Sequence, residues 1–100
     1  MIYKETYIAL LKDGVCTVKF DKADGTERKM RCTLNEKLLP EDDRAGAVAV
    51  ALKPSNDNVV ACWDLDKAGW RSFRIDSVID VGWYSVAAEL KLLESNKSDV

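Results

Sequence analysis

Residues 70–74, Trp70-Arg71-Ser72-Phe73-Arg74, put two guanidinium groups and two aromatic rings within five positions. A guanidinium presents a planar fork of donors matched to phosphate and carboxylate. An aromatic face beside it stacks on an unpaired base, worth about 1–3 kcal/mol per base. Arg71 and Arg74 on a phosphate, with Trp70 and Phe73 alongside, describe a ligand site for a nucleotide-like anion. Surface ion pairs to Asp64, Asp66 or Asp76 account for the two arginines as well, and Trp70 serves equally as a cover for the end of the fold. A second set is Lys19, Lys29 and Arg31, with Lys22 and Arg28 nearby. It reads either as a basic strip for a nucleic-acid backbone or as a solvated strand face whose lysines block edge aggregation.

Catalytic chemistry finds no such support. There is no histidine, no GxSxG, HExxH, P-loop or GxGxxG pattern, and no context that activates a nucleophile. Asp21, Asp24, Glu27, Glu41, Asp42 and Asp43 lie near turns among solvent-type residues. Carboxylates do acid–base work only when a cleft perturbs them. The reading is a protein without enzymatic activity, cofactor or metal.

One hundred residues form one domain, 1–100, and 47% apolar with 32% charged residues suit a soluble globular fold. A net charge of −2 excludes a protein that coats nucleic acid non-specifically but allows a local basic patch. Met1–Leu11 carries Lys4 and Glu5 and lacks the apolar run of a secretory signal. No stretch approaches the ~20 apolar residues of a membrane span. Cys16, Cys32 and Cys62 are odd in number and widely spaced, which fits three small buried thiols in a reducing cytoplasm.

The elements that must position these residues follow from periodicity. Apolar residues at 3, 7, 8, 10 and 11 form a helical stripe over Ile2–Leu11, with Gly14 as terminator. Val15–Phe20 and Arg28–Leu34 alternate as half-buried strands. Parity sets their register, because opposed residues of an antiparallel pair share a face. A three-residue loop, Ala23-Asp24-Gly25, matches the faces, puts Gly25 at a left-handed bulge position, and sets Val18 opposite Met30 and Cys16 opposite Cys32. Asn35–Arg44 reads as a helical turn and a loop, Ala45–Lys53 as an added strand, and Pro54–Asn58 as a surface loop. For Val59–Ile75 the same logic gives a loop of Lys67-Ala68-Gly69, Trp63 opposite Phe73 and Cys62 opposite Arg74. Phe73, Ile75 and Trp63 then face the core, Ser72, Arg74 and Asp64 face away, and Arg71 reaches water at the rim. A bend and last strand span Asp76–Tyr84. Ser85 caps a helix over Val86–Glu94 with Val86, Leu90 and Leu93 on one side, and Asn96–Val100 is a frayed tail. The architecture is mainly β (α+β): four to six short antiparallel strands in a closed or nearly closed barrel, with an N-terminal and a C-terminal helix.

Trp63-Asp64-Leu65-Asp66 followed by Trp70-Arg71-Ser72-Phe73-Arg74-Ile75-Asp76 resembles the motif of WYL domains. Met30-Arg31-Cys32-Thr33-Leu34 with a following Leu-Pro step is similar to a short stand-alone variety found mainly in tailed bacteriophages. The resemblance implies an SH3/Sm-like barrel and, through larger regulators in the family, recognition of a nucleotide or nucleic acid at Arg71, Phe73 and Arg74. Asn58-Val59-Val60 replaces the Trp-Tyr-Leu that names the family, and Ser77 stands where a further arginine is expected. The expected function is binding of single-stranded nucleic acid or a nucleotide-like anion in a regulatory role, in a phage-infected bacterial cytoplasm. The alternative is an interaction module that docks on a host protein or pairs as a homodimer, using the acidic 35–44 loop or the apolar surface around Trp83, Tyr84, Leu90 and Leu93.

Overall fold

A computed structural model describes residues 3–46 and 57–97. Helix α1 (Lys4–Asp13) precedes a first hairpin of β1 (Gly14–Asp21) and β2 (Glu27–Thr33). Two single 3-10 turns follow, Glu36–Leu38 and Glu41–Asp43. The second hairpin is β3 (Val59–Asp64) and β4 (Gly69–Arg74), and a 3-10 turn at Ile75–Ser77 leads into β5 (Val78–Ser85) and helix α2 (Val86–Lys97). The strands form one antiparallel sheet in the order β4-β3-β2-β1-β5. β4 and β5 remain its two edges, so the expected closure does not occur among the described residues.

The first hairpin has the expected register. Val18 opposes Met30 and Cys16 opposes Cys32. Lys22 N–H donates to the Thr26 carbonyl at 2.8 Å, Gly25 N–H donates to the Lys22 carbonyl at 3.0 Å, and Gly25 sits at φ +88°. That is a three-residue loop whose last position needs glycine, because a Cβ penalises left-handed backbone. Asp24 accepts from the Thr26 amide and hydroxyl, and these bonds hold its carboxyl below the usual aspartate range.

The second hairpin departs from expectation. Trp63 opposes Trp70, Cys62 opposes Arg71 and Val60 opposes Phe73, three positions away from the parity assignment. The cause is Asp64, which is buried. Its Oδ1 accepts from the amides of Asp66 at 2.9 Å and Lys67 at 3.0 Å, and its Oδ2 accepts from Arg28 at 3.1 Å. A carboxylate bonding its own backbone two and three residues on starts the turn at that point. The loop is therefore four residues, Leu65 to Ala68, and Ala68 rather than Gly69 takes the left-handed conformation at φ 52°. In consequence Trp63 and Phe73, expected on one face, lie on opposite faces of the sheet. Both are buried, Trp63 edge-on against Trp70 at 5.4 Å.

The core lies on the inner face, beneath α1. Tyr7 and Leu11, one helical turn apart, meet Cys16, Val18, Met30, Cys32, Val60, Cys62 and Phe73. Leu34 and Leu39 plug the end of this cluster. α1 is fastened by its C-terminal carbonyls. Leu11 O accepts from Leu34 N–H at 2.9 Å and the Thr33 hydroxyl at 3.1 Å, Lys12 O from the Asn35 amide at 2.7 Å, and Leu10 O from Trp83 Nε1 at 2.9 Å. Gly14 ends this helix in extended rather than left-handed backbone; a side chain there would strike the Tyr84 carbonyl and the Trp83 ring.

Ser85 caps α2 as expected, accepting from Ala88 N–H at 3.2 Å, and the helix runs through Lys97, past the expected fraying point at Asn96. Arg44, Ala45 and Gly46 are helical, not extended, and 47–53 of the expected added strand lie outside the described residues, as do 54–56 and 98–100. Truncating Asp64 to Ala removes the turn-forming acceptor and leaves Arg28 unpaired. Because Arg28 is partly solvated, we expect a loss of about 2–3 kcal/mol, read as a lower urea midpoint with unchanged slope.

Candidate functional site

Of the cations singled out in the sequence, Arg31 is the most committed. Its Nη1 donates to both oxygens of Glu89 at 2.7 and 2.8 Å and to the Tyr84 hydroxyl at 3.0 Å, while Nε and Nη2 donate to Asp66 at 3.1 and 2.8 Å. Tyr84 in turn donates to Glu89 Oε2 at 2.7 Å. These bonds, those from Asp66 first, raise the guanidinium's affinity for its proton, so it is cationic at every pH of interest. Burial, and then the bond to Glu89, push the Tyr84 phenol above its usual range. Glu89 is only 2% exposed, although its helix leaves Leu90, Leu92 and Leu93 largely in solvent. The helix α2 is thus seated by a carboxylate, not by the leucine stripe. Arg31 ties β2 to α2, β5 and the β3–β4 turn, and its donors are not available to a ligand in this arrangement.

The residues of β4 separate by alternation. Arg71 shares the inner face with Phe73 and Cys62, whereas Trp70, Ser72 and Arg74 point to the outer face. Arg71 and Arg74 therefore do not converge on one phosphate, and the two-arginine clamp is not formed. Arg71 is exposed at the rim and donates to the Trp70 carbonyl at 3.3 Å. Trp70 is half-buried between Trp63 and Gly46, where a Cβ would lie 3.0 Å from its ring. It covers the outer face of the second hairpin.

Phe73 and Arg74 do come together, in a cleft of about 340 Å³. β3 pairs with β2 only at Cys32–Asp64 and Thr33–Trp63, so the outer half of the first hairpin runs past it. The cleft lies elsewhere, at a seam where side chains rather than ladder bonds join the end of β1 to the end of β4, with two strands between them in the sheet order. Phe20 stacks on Phe73 at 6.4 Å and 26°, and Tyr7 meets Phe73 edge-on at 5.4 Å. Phe20, Phe73 and Val59 give the cleft apolar walls; Arg74, Lys22, Ser72 and Ser77 give it donors. The Arg74 side chain is 66% exposed and touches Asp76 at 3.3 Å. Solvent screens such a pair heavily, so a ligand can displace it.

Lys19 and Lys29 stand directly opposite each other on the outer face. They line a groove of about 390 Å³ with Thr17, Glu27, Arg28, Asp80 and Gly82. Lys19 contacts Glu27 at 3.2 Å in an exposed pair. Thr17, Asp80 and Gly82 were missed by sequence reasoning, as were Phe20 and Ser77 of the cleft, while Lys22 was expected beside the basic strip rather than here. Gly82 carried a readable signal, because an isolated glycine inside a strand marks a close approach. A Cβ there would sit 2.6 Å from Thr17 Oγ1. Glu89 carried none, since a glutamate on a terminal helix reads as solvent-facing.

The three cysteines are free and buried, as expected. Burial pushes the Cys16 thiol up to about 12, and the bond to Cys62, followed by burial, raises that of Cys32. Cys32 Sγ donates to the Cys16 carbonyl at 3.6 Å. No group of three or more His, Cys, Asp or Glu among the described residues is arranged to hold a metal, and no described helix is long and apolar enough to cross a membrane.

A small antiparallel sheet, covered by one helix on its inner face and carrying basic residues on its outer face and at its open seam, defines a small-barrel type of domain. The chain belongs to the WYL_2 family, whose fold is described as an Sm-like SH3 beta-barrel; the match covers residues 4–79. It is also similar to an uncharacterized 11.5 kDa protein of the Gp31-cd intergenic region of Enterobacteria phage T4, with 29% identity over 83 residues, 83% of this chain and 80% of that one. The likeness is to a short, phage-type protein. No solved structure matches.

Two outcomes test this description. Glu89→Ala leaves Arg31 and Tyr84 without their shared acceptor. We expect a loss of about 2–3 kcal/mol, after allowing for the partial exposure of Arg31, with hydrogen-exchange protection lost across α2 before the sheet. Thiolate is the reactive form of cysteine, so the native protein at pH 8 should resist a thiol-titrating reagent, while guanidinium-unfolded protein releases three equivalents. Rapid native labelling of Cys16 would contradict the burial.

Proposed function

We propose that the protein is a non-enzymatic small barrel that binds single-stranded nucleic acid or a nucleotide-like anion in a regulatory role, in the cytoplasm of a phage-infected bacterium. One observation carries this reading: the seam cleft brings an apolar floor and a displaceable guanidinium together, through Phe20, Phe73 and Arg74. Phe20, partly exposed and backed by the buried Phe73, offers stacking or edge contact to a base, and a guanidinium beside it matches phosphate. Lys22, Ser72 and Ser77 add donors at the same rim. The basic strip of the first hairpin contributes Lys19 and Lys29, while Arg31 serves the fold.

A second reading is docking on a host protein or a second copy of the chain. It is favoured by the exposure of Ile79 and Trp83 on β5 and of Leu90, Leu92 and Leu93 on α2. These are large apolar side chains that a monomer usually covers.

The discriminating measurement is fluorescence anisotropy of labelled single-stranded DNA and RNA at two salt concentrations. Under the first reading affinity falls steeply with salt. Arg74→Ala should weaken binding about tenfold or more, the loss of one hydrogen bond to a charged group, and leave the thermal midpoint unchanged. Unaltered affinity in that variant removes the cleft from the site. A salt-independent absence of binding favours the second reading.

A further inference from the structure

We infer that the groove on the outer face of β1, β2 and β5 seats the backbone of single-stranded RNA, with Lys19 and Lys29 on a phosphodiester and Asp80 on the neighbouring ribose hydroxyl. The inference rests on the nucleic-acid reading above and names the chemistry that a second surface of the protein selects.

Strand register lays out the groove in two rows. One row crosses the sheet as Lys29, Lys19, Asp80; the next crosses as Arg31, Thr17, Gly82. Arg31 turns away to Glu89 and Asp66, and Gly82 has no side chain. The second row is therefore a hollow floored by Thr17 and Gly82, and the first row is its charged bank.

The bank is unfavourable in isolation. Like charges directly opposed on an antiparallel pair destabilise it, and Lys19 faces Lys29. Sequences break such local rules chiefly at functional sites. The partial remedy is the exposed contact from Lys19 to Glu27, while Lys29 has no ion pair among the described residues. An anion between the two ammonium groups removes the repulsion.

The carboxylates define which anion. The lining holds three cations, Lys19, Lys29 and Arg28, against two carboxylates, Glu27 and Asp80, so the groove suits one negative charge. A terminal phosphate carries close to two; a phosphodiester carries one. Asp80 Oδ1 accepts from the Val81 amide at 3.0 Å, which fixes the carboxylate beside the bank. An ionised carboxylate only accepts hydrogen bonds, so its partner must be a donor next to a phosphodiester. Within the sugar–phosphate backbone the ribose 2′-hydroxyl is the one such donor, and DNA lacks it.

The test compares labelled ten-residue oligouridine RNA with the deoxyuridine oligomer of equal length, so that only the sugar differs. RNA should bind about tenfold tighter. Asp80→Ala should close that gap, and Lys29→Ala should weaken both and lower the salt slope by about one. Both side chains are exposed, and an unchanged melting curve verifies folding of each variant. Equal affinity for the two oligomers, or a gap that persists in Asp80→Ala, overturns the ribose assignment while the nucleic-acid reading stands. An unchanged salt slope in Lys29→Ala overturns the groove as the backbone site. No binding of either oligomer at low salt overturns both, and Arg74→Ala in the same titration reports separately on the seam cleft.

Discussion

The arrangement depends on a single guanidinium. Arg31 sits in the first third of the chain, yet its partners come from the second hairpin turn, β5 and α2. An ion pair of this depth is a demanding device. Desolvating Glu89 costs several kcal/mol, and only a well-formed set of hydrogen bonds offsets it. The set is complete: every buried side-chain nitrogen and oxygen among the described residues has a partner. The arrangement specifies where α2 goes more than it strengthens the fold, because the leucines that a purely apolar docking would bury remain in water.

The same economy governs the sheet. Only two residue pairs join β2 to β3, so the two hairpins are offset along the sheet. Where the end of β1 meets the end of β4, Phe20, Phe73 and Tyr7 fill the gap with rings in place of ladder bonds. A seam closed by side chains can admit a flat molecule where one closed by backbone hydrogen bonds cannot. The feature that departs from a closed barrel is therefore also the one that offers a site.

How much of this was legible differs from element to element. Alternation in Val15–Phe20 and Arg28–Leu34 gave the first hairpin down to its paired residues, because a glycine at the bulge position left one loop length consistent with both faces. The second hairpin has the same apparent ingredients and misled. There Asp64 competes with glycine for control of the turn, and a buried carboxylate that bonds two amides and an arginine wins over glycine's permissiveness. The three-position shift then moved Trp63 off the Phe73 face. Of the expected ligand residues, Phe73 and Arg74 meet while Arg71 and Trp70 do not join them, and Arg31 left the basic strip for Glu89, 58 residues farther along the chain. Such long-range partners leave no local trace in a single sequence. In the groove, alternation placed Lys19 and Lys29 together, and Gly82 carried a further local signal.

The fastening of α1 bears on synthesis. A ten-residue helix is marginal in water on its own. Besides the Gly14 amide on Leu10 O, its last carbonyls are satisfied by Leu34, Thr33, Asn35 and Trp83. Because α1 is synthesised before these partners, it settles fully only after Trp83, 73 residues beyond Leu10, has followed, and loss of β5 would loosen α1 as well as α2.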